Sequence, residues 1–221
     1  MRKLFRKTHM SFLKSQIMIV SPLLICLIIC IVFFSVQIGN NYNDAENLFY
    51  DTLYKINTSL INADRDFYQA QLGATQYHDN KDKLDEDMLN KKLDEYEDNK
   101  QQAIDNVNAA TDIVKTEDEL YSVLTSAEGA TYEKLYSEFV EEYNIWINEY
   151  NLTADSGDWS KFNDDFSSAR EYLSEMTDIV ESWASKEDNM MNAQIKHRII
   201  VISVIFVTIQ VTLLKYDIGI A

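Results

Sequence analysis

Residues 17–38, IMIVSPLLICLIICIVFFSVQI, constrain this chain more than any other stretch: 22 residues without a charge, dominated by Ile, Leu, Val and Phe. At about 1.5 Å per residue a helix over them spans roughly 33 Å, enough to cross the hydrocarbon core of a bilayer. A helix on the surface of a soluble core is apolar along one stripe only, so an all-round apolar helix of this length predicts a membrane span. Five basic residues, Arg2, Lys3, Arg6, Lys7 and Lys14, precede it without an acid. The positive-inside bias then puts residues 1–16 in the cytoplasm and Gly39 outside. The run is longer than the apolar core of a signal peptide and no small-x-small triplet follows it, so an uncleaved anchor is expected. Pro22 is expected in the first turns of the span, where a missing N–H matters least. Cys26 and Cys30 share one helix face and read as small apolar side chains in lipid, ahead of acylation or metal binding.

Beyond the span the chemistry reverses. Residues 39–197 hold 13 basic and 35 acidic groups. A surface so acidic excludes nucleic acid, whose phosphates demand the opposite sign. One proline and five glycines in 221 residues, with helix formers and periodic aromatics throughout, predict an all-α chain. Four apolar seams follow, each alternating in steps of four and three. The first holds Phe49, Leu53, Ile56, Leu60, Ala63, Phe67, Ala70 and Ala74, ending near Tyr77 before a polar turn over 78–83. The second holds Leu89, Leu93, Tyr96, Lys100, Ala103, Val107, Ala110 and Val114. Lys100 fits only if its stem covers the seam while the ammonium reaches water. Two breaks compete for its end: Thr116-x-x-Glu119, which has the form of a capping box, and Glu128-Gly129-Ala130. Helices of matched length favour the break near Thr116. The third seam is aromatic: Tyr132, Tyr136, Phe139, Tyr143, Trp146 and Tyr150. That spacing is a buried stripe's, so core packing is preferred to a ligand cage. A turn over 151–158 with Gly157 leads to Phe162, Phe166, Ala169, Leu173, Met176, Val180, Trp183 and Met190.

Residues 199–214 are apolar again, but shorter and interrupted by Ser203, Thr208, Gln210 and Thr212. At roughly 24 Å they span a bilayer with help from thinning or from snorkelling of Arg198 and Lys215. The expected architecture is an antiparallel up-down-up-down four-helix bundle flanked by two transmembrane helices. Its order is a cytoplasmic N-terminus 1–16, transmembrane helix 17–38, extracytoplasmic bundle 39–197, transmembrane helix 199–214 and a short cytoplasmic tail 215–221.

INADRDFYQA (61–70), NKQQAIDNVNAA (99–110) and the spacing around Trp146 resemble the four-helix-bundle sensor module of bacterial methyl-accepting chemotaxis proteins, over roughly residues 10–214. The resemblance implies a homodimer in the cytoplasmic membrane whose outer bundle senses small molecules. It also implies a HAMP linker and a methylated cytoplasmic coiled coil that contacts a histidine kinase complex. Six residues after Lys215 hold neither, so the expectation is an input half without its output half, which by itself contacts no cytoplasmic signalling partner. Two alternatives stand beside that reading. One is the input domain of a sensor histidine kinase or another signalling enzyme. The other is a structural or regulatory bundle that pairs with intact receptors.

Only two arginines, Arg65 and Arg170, lie in the outer region, each roughly 40 Å from a membrane end along its helix. Guanidinium groups suit carboxylates, and in related receptors arginines of the first helix reach a ligand across the dimer interface. The candidate site for a small carboxylate such as an amino acid is therefore Arg65, Tyr68, Gln69 and Arg170. The competing expectation is that both arginines pair with neighbours such as Asp64, Asp66 or Glu171. No cofactor, metal site or enzyme activity is expected. His9, His78 and His197 fall in separate segments, and the acidic run 79–87 lacks the spacing and glycine of a calcium loop. No phosphate loop or activated nucleophile appears. The Asn57 and Asn151 sequons matter only in a eukaryotic secretory pathway.

Overall fold

The structure is a computed structural model that describes the backbone of residues 2–220 and the side chains apart from those at 1–16, 18, 19, 23 and 213–221. The N-terminal basic cluster and Lys215 thus lie outside the described side chains. The chain is almost entirely helical. Helix α1 covers Arg2–Glu46, a π-helical segment Asn47–Leu53, α2 Tyr54–Asn80, α3 Glu86–Val114, α4 Asp118–Ser122, α5 Tyr132–Glu149 and α6 Trp159–Ile220. Two-residue strands β1 (Tyr150–Asn151) and β2 (Ser156–Gly157) pair antiparallel between α5 and α6. Two compact units result: Asn47–Asp188, and a second made of Met1–Glu46 with Asn189–Ala221.

In the first unit the four seams meet in one core. Ile56, Leu60, Phe67, Val107, Phe139, Trp146, Phe162, Leu173 and Met176 are all buried. Cross-helix bonds fix each pairing as antiparallel. Between α2 and α3, Asp66 meets Asn106 while Gly73 lies against Tyr96. Between α3 and α5, the Tyr143 hydroxyl donates to the Lys100 carbonyl at 2.8 Å and the Tyr136 hydroxyl to Asn108 Oδ1 at 2.8 Å. Between α2 and α6, Gln71 bonds Asn163 and Arg170 bonds Asp64. Gly73 allows a close approach of the two helices: a Cβ there would stand 3.0 Å from the Tyr96 nitrogen and 3.2 Å from the Lys92 carbonyl oxygen, so the facing backbone of α3 would have to shift by a few tenths of an ångström to admit it.

The helix ends follow local chemistry. Asp85 caps α3 by accepting from the Met88 N–H at 2.9 Å, and Thr131 caps α5 by accepting from the Lys134 N–H. The β1–β2 hairpin needs Gly157, whose φ is +123° and whose Cβ would lie 2.1 Å from the Glu149 carbonyl oxygen.

Several expectations are corrected. The helix before the first turn continues through His78 to Asn80, because Asn80 and Lys83 bond back to the Gln76 and Asp79 carbonyls and extend the last turn. Thr116-x-x-Glu119 is no capping box. Thr116 Oγ1 donates to the Ile113 carbonyl and closes α3, while Glu119 pairs with Lys186. Both proposed breaks exist, with α4 and an isolated Thr125–Thr131 bridge between them. Met190 is exposed and lies outside the Asn47–Asp188 unit. Pro22 sits inside α1, which begins at Arg2, not in its first turns. Helix α6 continues through the expected 215–221 tail as far as Ile220. Lys100 is half-buried, its ammonium 4.7 Å from the centre of the Tyr96 ring and paired with Glu97.

Two helices, the apolar parts of α1 and α6, are long and apolar enough to cross a membrane. Their apolar side chains are exposed, among them Leu24, Ile28, Ile29, Phe33, Ile200, Val204 and Val207. Such a surface in water would be a large uncompensated apolar patch.

Burial also sets the acid–base behaviour of the core. Low dielectric, aided by nearby acidic groups, pushes the phenols of Tyr96 and Tyr143 far above the usual tyrosine range. Burial does the same to Tyr132, opposed by its hydrogen bond with Thr111, and lifts Tyr150 to about 12. Unfolded phenols ionise near pH 10, so the stability held by these neutral phenols is complete below that value and is lost as pH rises through the folded values. Alkaline titration of the full chain in detergent is expected to show these four tyrosines ionising together with loss of helical circular dichroism. Smooth ionisation of every tyrosine near pH 10 with the helices intact would contradict the burial.

Candidate functional site

Helices α2 and α6 run side by side and leave an open groove of about 650 Å³ between them. Its floor is apolar, from Leu60, Phe166 and Leu173, because the two seams meet there. Its wall on α6 is polar: Ser167, Glu171, Ser174 and Asp178 fall in steps of four and three beside the seam, with Arg170 and Thr177 interleaved. Asp64 and Ile61 close it from α2.

Arg170 is the one candidate residue that lines this groove. Its fork grips Asp64 across the helix pair, Nε donating to Oδ1 at 2.7 Å and Nη2 to Oδ2 at 3.1 Å. The guanidinium also lies 5.5 Å from the centre of the Tyr68 ring, which brings a second candidate to the same place. Asp64 holds the guanidinium charge even more firmly than usual. Bidentate pairing at a half-exposed surface is a modest tether, and a ligand carboxylate can compete for the same fork.

Arg65 is turned elsewhere. Its Nε and Nη2 donate to Asp66 Oδ1 at 2.9 and 2.7 Å. The Asp66 side chain is only 2% exposed, and its other oxygen accepts from Asn106 Nδ2 of α3 at 2.9 Å. Arg65 thus neutralises a carboxylate sunk between α2 and α3 and does not line the groove. Gln69 is exposed on α2 and does not line it either. The structure therefore joins Arg170 and Tyr68 and leaves Arg65 and Gln69 apart.

The competing expectation named Asp64 and Asp66 as partners, and the ion pairs of Arg170 with Asp64 and of Arg65 with Asp66 are the ones found. The hydroxyl and carboxylate wall of α6 and the buried Gln71 were missed. Gln71 Oε1 accepts from Trp146 Nε1 at 3.0 Å while its amide donates to Asn163, tying α2, α5 and α6 together. The α6 wall carries a readable signal, a polar stripe one step from the apolar seam. Among the described residues, no three His, Cys, Asp or Glu side chains converge as metal ligands. The chain matches no protein-family model, no curated protein and no solved structure.

Proposed function

We propose that this chain is the membrane-anchored sensor portion of a bacterial chemotaxis receptor, built as an up-down-up-down four-helix bundle between two membrane crossings. In this reading residues 39–197 lie outside the cytoplasmic membrane, both termini lie inside, and two copies pair as a homodimer. The observation that carries it is the groove between α2 and α6. It sets a guanidinium, several carboxylates and hydroxyls over an apolar floor, the mixture that grips both ends of an amino acid. Helix α6 also carries the second apolar stretch, so a ligand that moves Arg170 acts on an element that extends into the membrane. The three antiparallel pairings and the exposed apolar runs of α1 and α6 support the architecture.

Calorimetry on the full chain in lipid nanodiscs, with a panel of amino and organic acids, tests the reading. One amino acid is expected to bind, and Arg170→Ala is expected to weaken it about tenfold or more, the worth of a charged hydrogen-bond pair. Silence across the panel, or binding that survives Arg170→Ala, would remove this site.

A second reading has its own support: both arginines already hold carboxylates, Arg170 with Asp64 and Arg65 with Asp66. A bundle that serves only to space or pair membrane proteins needs such tethers and no ligand. The same titration separates the two.

A further inference from the structure

We propose that the polar groove beside Arg198 binds the headgroup of a phosphatidylethanolamine-type lipid, a phosphodiester carrying a primary ammonium. The inference rests on the reading that the apolar parts of α1 and α6 cross a bilayer, and is independent of the amino-acid groove.

The site lies within the unit formed by Met1–Glu46 and Asn189–Ala221. It is a groove of about 410 Å³ lined by Gln37, Asn40, Asn43, Asp44 and Arg198. Arg198 is half-buried and held in place from α1: its Nη1 donates to Asn41 Oδ1 at 2.6 Å and to Gln37 Oε1 at 3.3 Å. Both acceptors are neutral. Among the described residues Arg198 forms no ion pair with a carboxylate, unlike Arg65 and Arg170. A fixed guanidinium that bonds only neutral amides, at the edge of a low-dielectric layer, suits an anion there even with Asp44 elsewhere in the groove. The apolar layer begins immediately beside it, with Ile38 66% exposed and Ile199 and Ile200 exposed. A phosphodiester at headgroup depth matches the guanidinium fork.

Asp44 decides which phosphodiester. A carboxylate in the same groove repels free phosphate and any headgroup with net negative charge. It attracts an ammonium placed a few bonds from the phosphodiester, while Gln37, Asn40 and Asn43 supply neutral donors and acceptors. One fixed cation, one carboxylate and three amides complement a zwitterion. Acyl chains would then lie along the apolar faces of α1 and α6.

The test uses the full chain reconstituted in vesicles of phosphatidylethanolamine, phosphatidylcholine and phosphatidylglycerol in equal parts. Mild detergent extraction and native mass spectrometry then count the lipids retained. Phosphatidylethanolamine is expected to be retained about tenfold over phosphatidylcholine, whose methylated ammonium donates no hydrogen bond, and over phosphatidylglycerol. Arg198→Gln is expected to abolish the retention. Asp44→Asn is expected to keep lipid bound while erasing the preference for phosphatidylethanolamine over phosphatidylglycerol. Equal retention of the three lipids, or retention indifferent to Arg198→Gln, overturns the proposal. Displacement by excess inorganic phosphate assigns the groove to free anions and overturns it as well. Release of the chain from vesicles by alkaline carbonate would overturn the membrane reading itself. A chain that stays embedded without lipid preference overturns the headgroup site alone.

Discussion

Trp146→Ala is expected to cost about 3–5 kcal/mol of stability, the range for removing a large buried aromatic. Trp146 is fully buried at the centre of the core. Its ring meets Phe67 edge-on at 4.8 Å, stacks near Phe162 at 5.3 Å, and lies 5.8 Å from Tyr96 and 6.1 Å from Phe166. These partners come from α2, α3 and α6, so no single helix can close the void. The loss also strands the Gln71 carbonyl that accepted from Nε1. Against a total stability of about 5–15 kcal/mol for a domain, such a change leaves little margin. Trp146→Phe keeps most of the apolar area and loses the N–H, for a cost of about 1–3 kcal/mol. Thermal unfolding of the full chain in detergent, followed by circular dichroism, ranks the two variants. An alanine variant that melts like the parent would mean that the aromatic stripe is not core, and would reopen its reading as a ligand cage.

The seams were legible because burial repeats along a helix. From Ile56 to Ala74, and from Phe162 to Trp183, the residues in steps of four and three are the buried ones. Periodicity says nothing of a polar side chain one step off the seam, and the core's polar members lie there. Asp66 and Gln71 flank the Phe67–Ala70 face, and each is buried where a partner 40 or 92 residues away meets it. The π-helical turn Asn47–Leu53 was equally hidden, since a widened turn leaves the local composition unchanged. For the site, chain length alone placed Arg65 and Arg170 at one height. Which way each fork turns is set by carboxylates: Asp66, adjacent and buried, takes Arg65, and Asp64 on the facing helix takes Arg170. Tyr68 joined the site through Arg170, and Gln69 found no place in it.

Arg65 is where the ligand reading and the structural reading predict opposite results. If it serves Asp66, then Arg65→Ala leaves a carboxylate buried beside α3 with Asn106 as its remaining partner. The cost is expected to be about 2 kcal/mol, below the value for a fully buried ion pair because the arginine side chain is 56% exposed. Asp66→Asn removes the charge and keeps a group that can bond Asn106. In that background Arg65→Ala is expected to cost little, so the double-mutant cycle returns most of the single variant's loss as coupling. Amino-acid binding at the Arg170 groove is expected to survive Arg65→Ala, since Arg65 does not line it. If Arg65 were the ligand's anchor, the same substitution would leave the melting temperature in place and abolish the calorimetric signal. Measuring both quantities on one variant therefore tells a core-neutralising arginine from a sensory one.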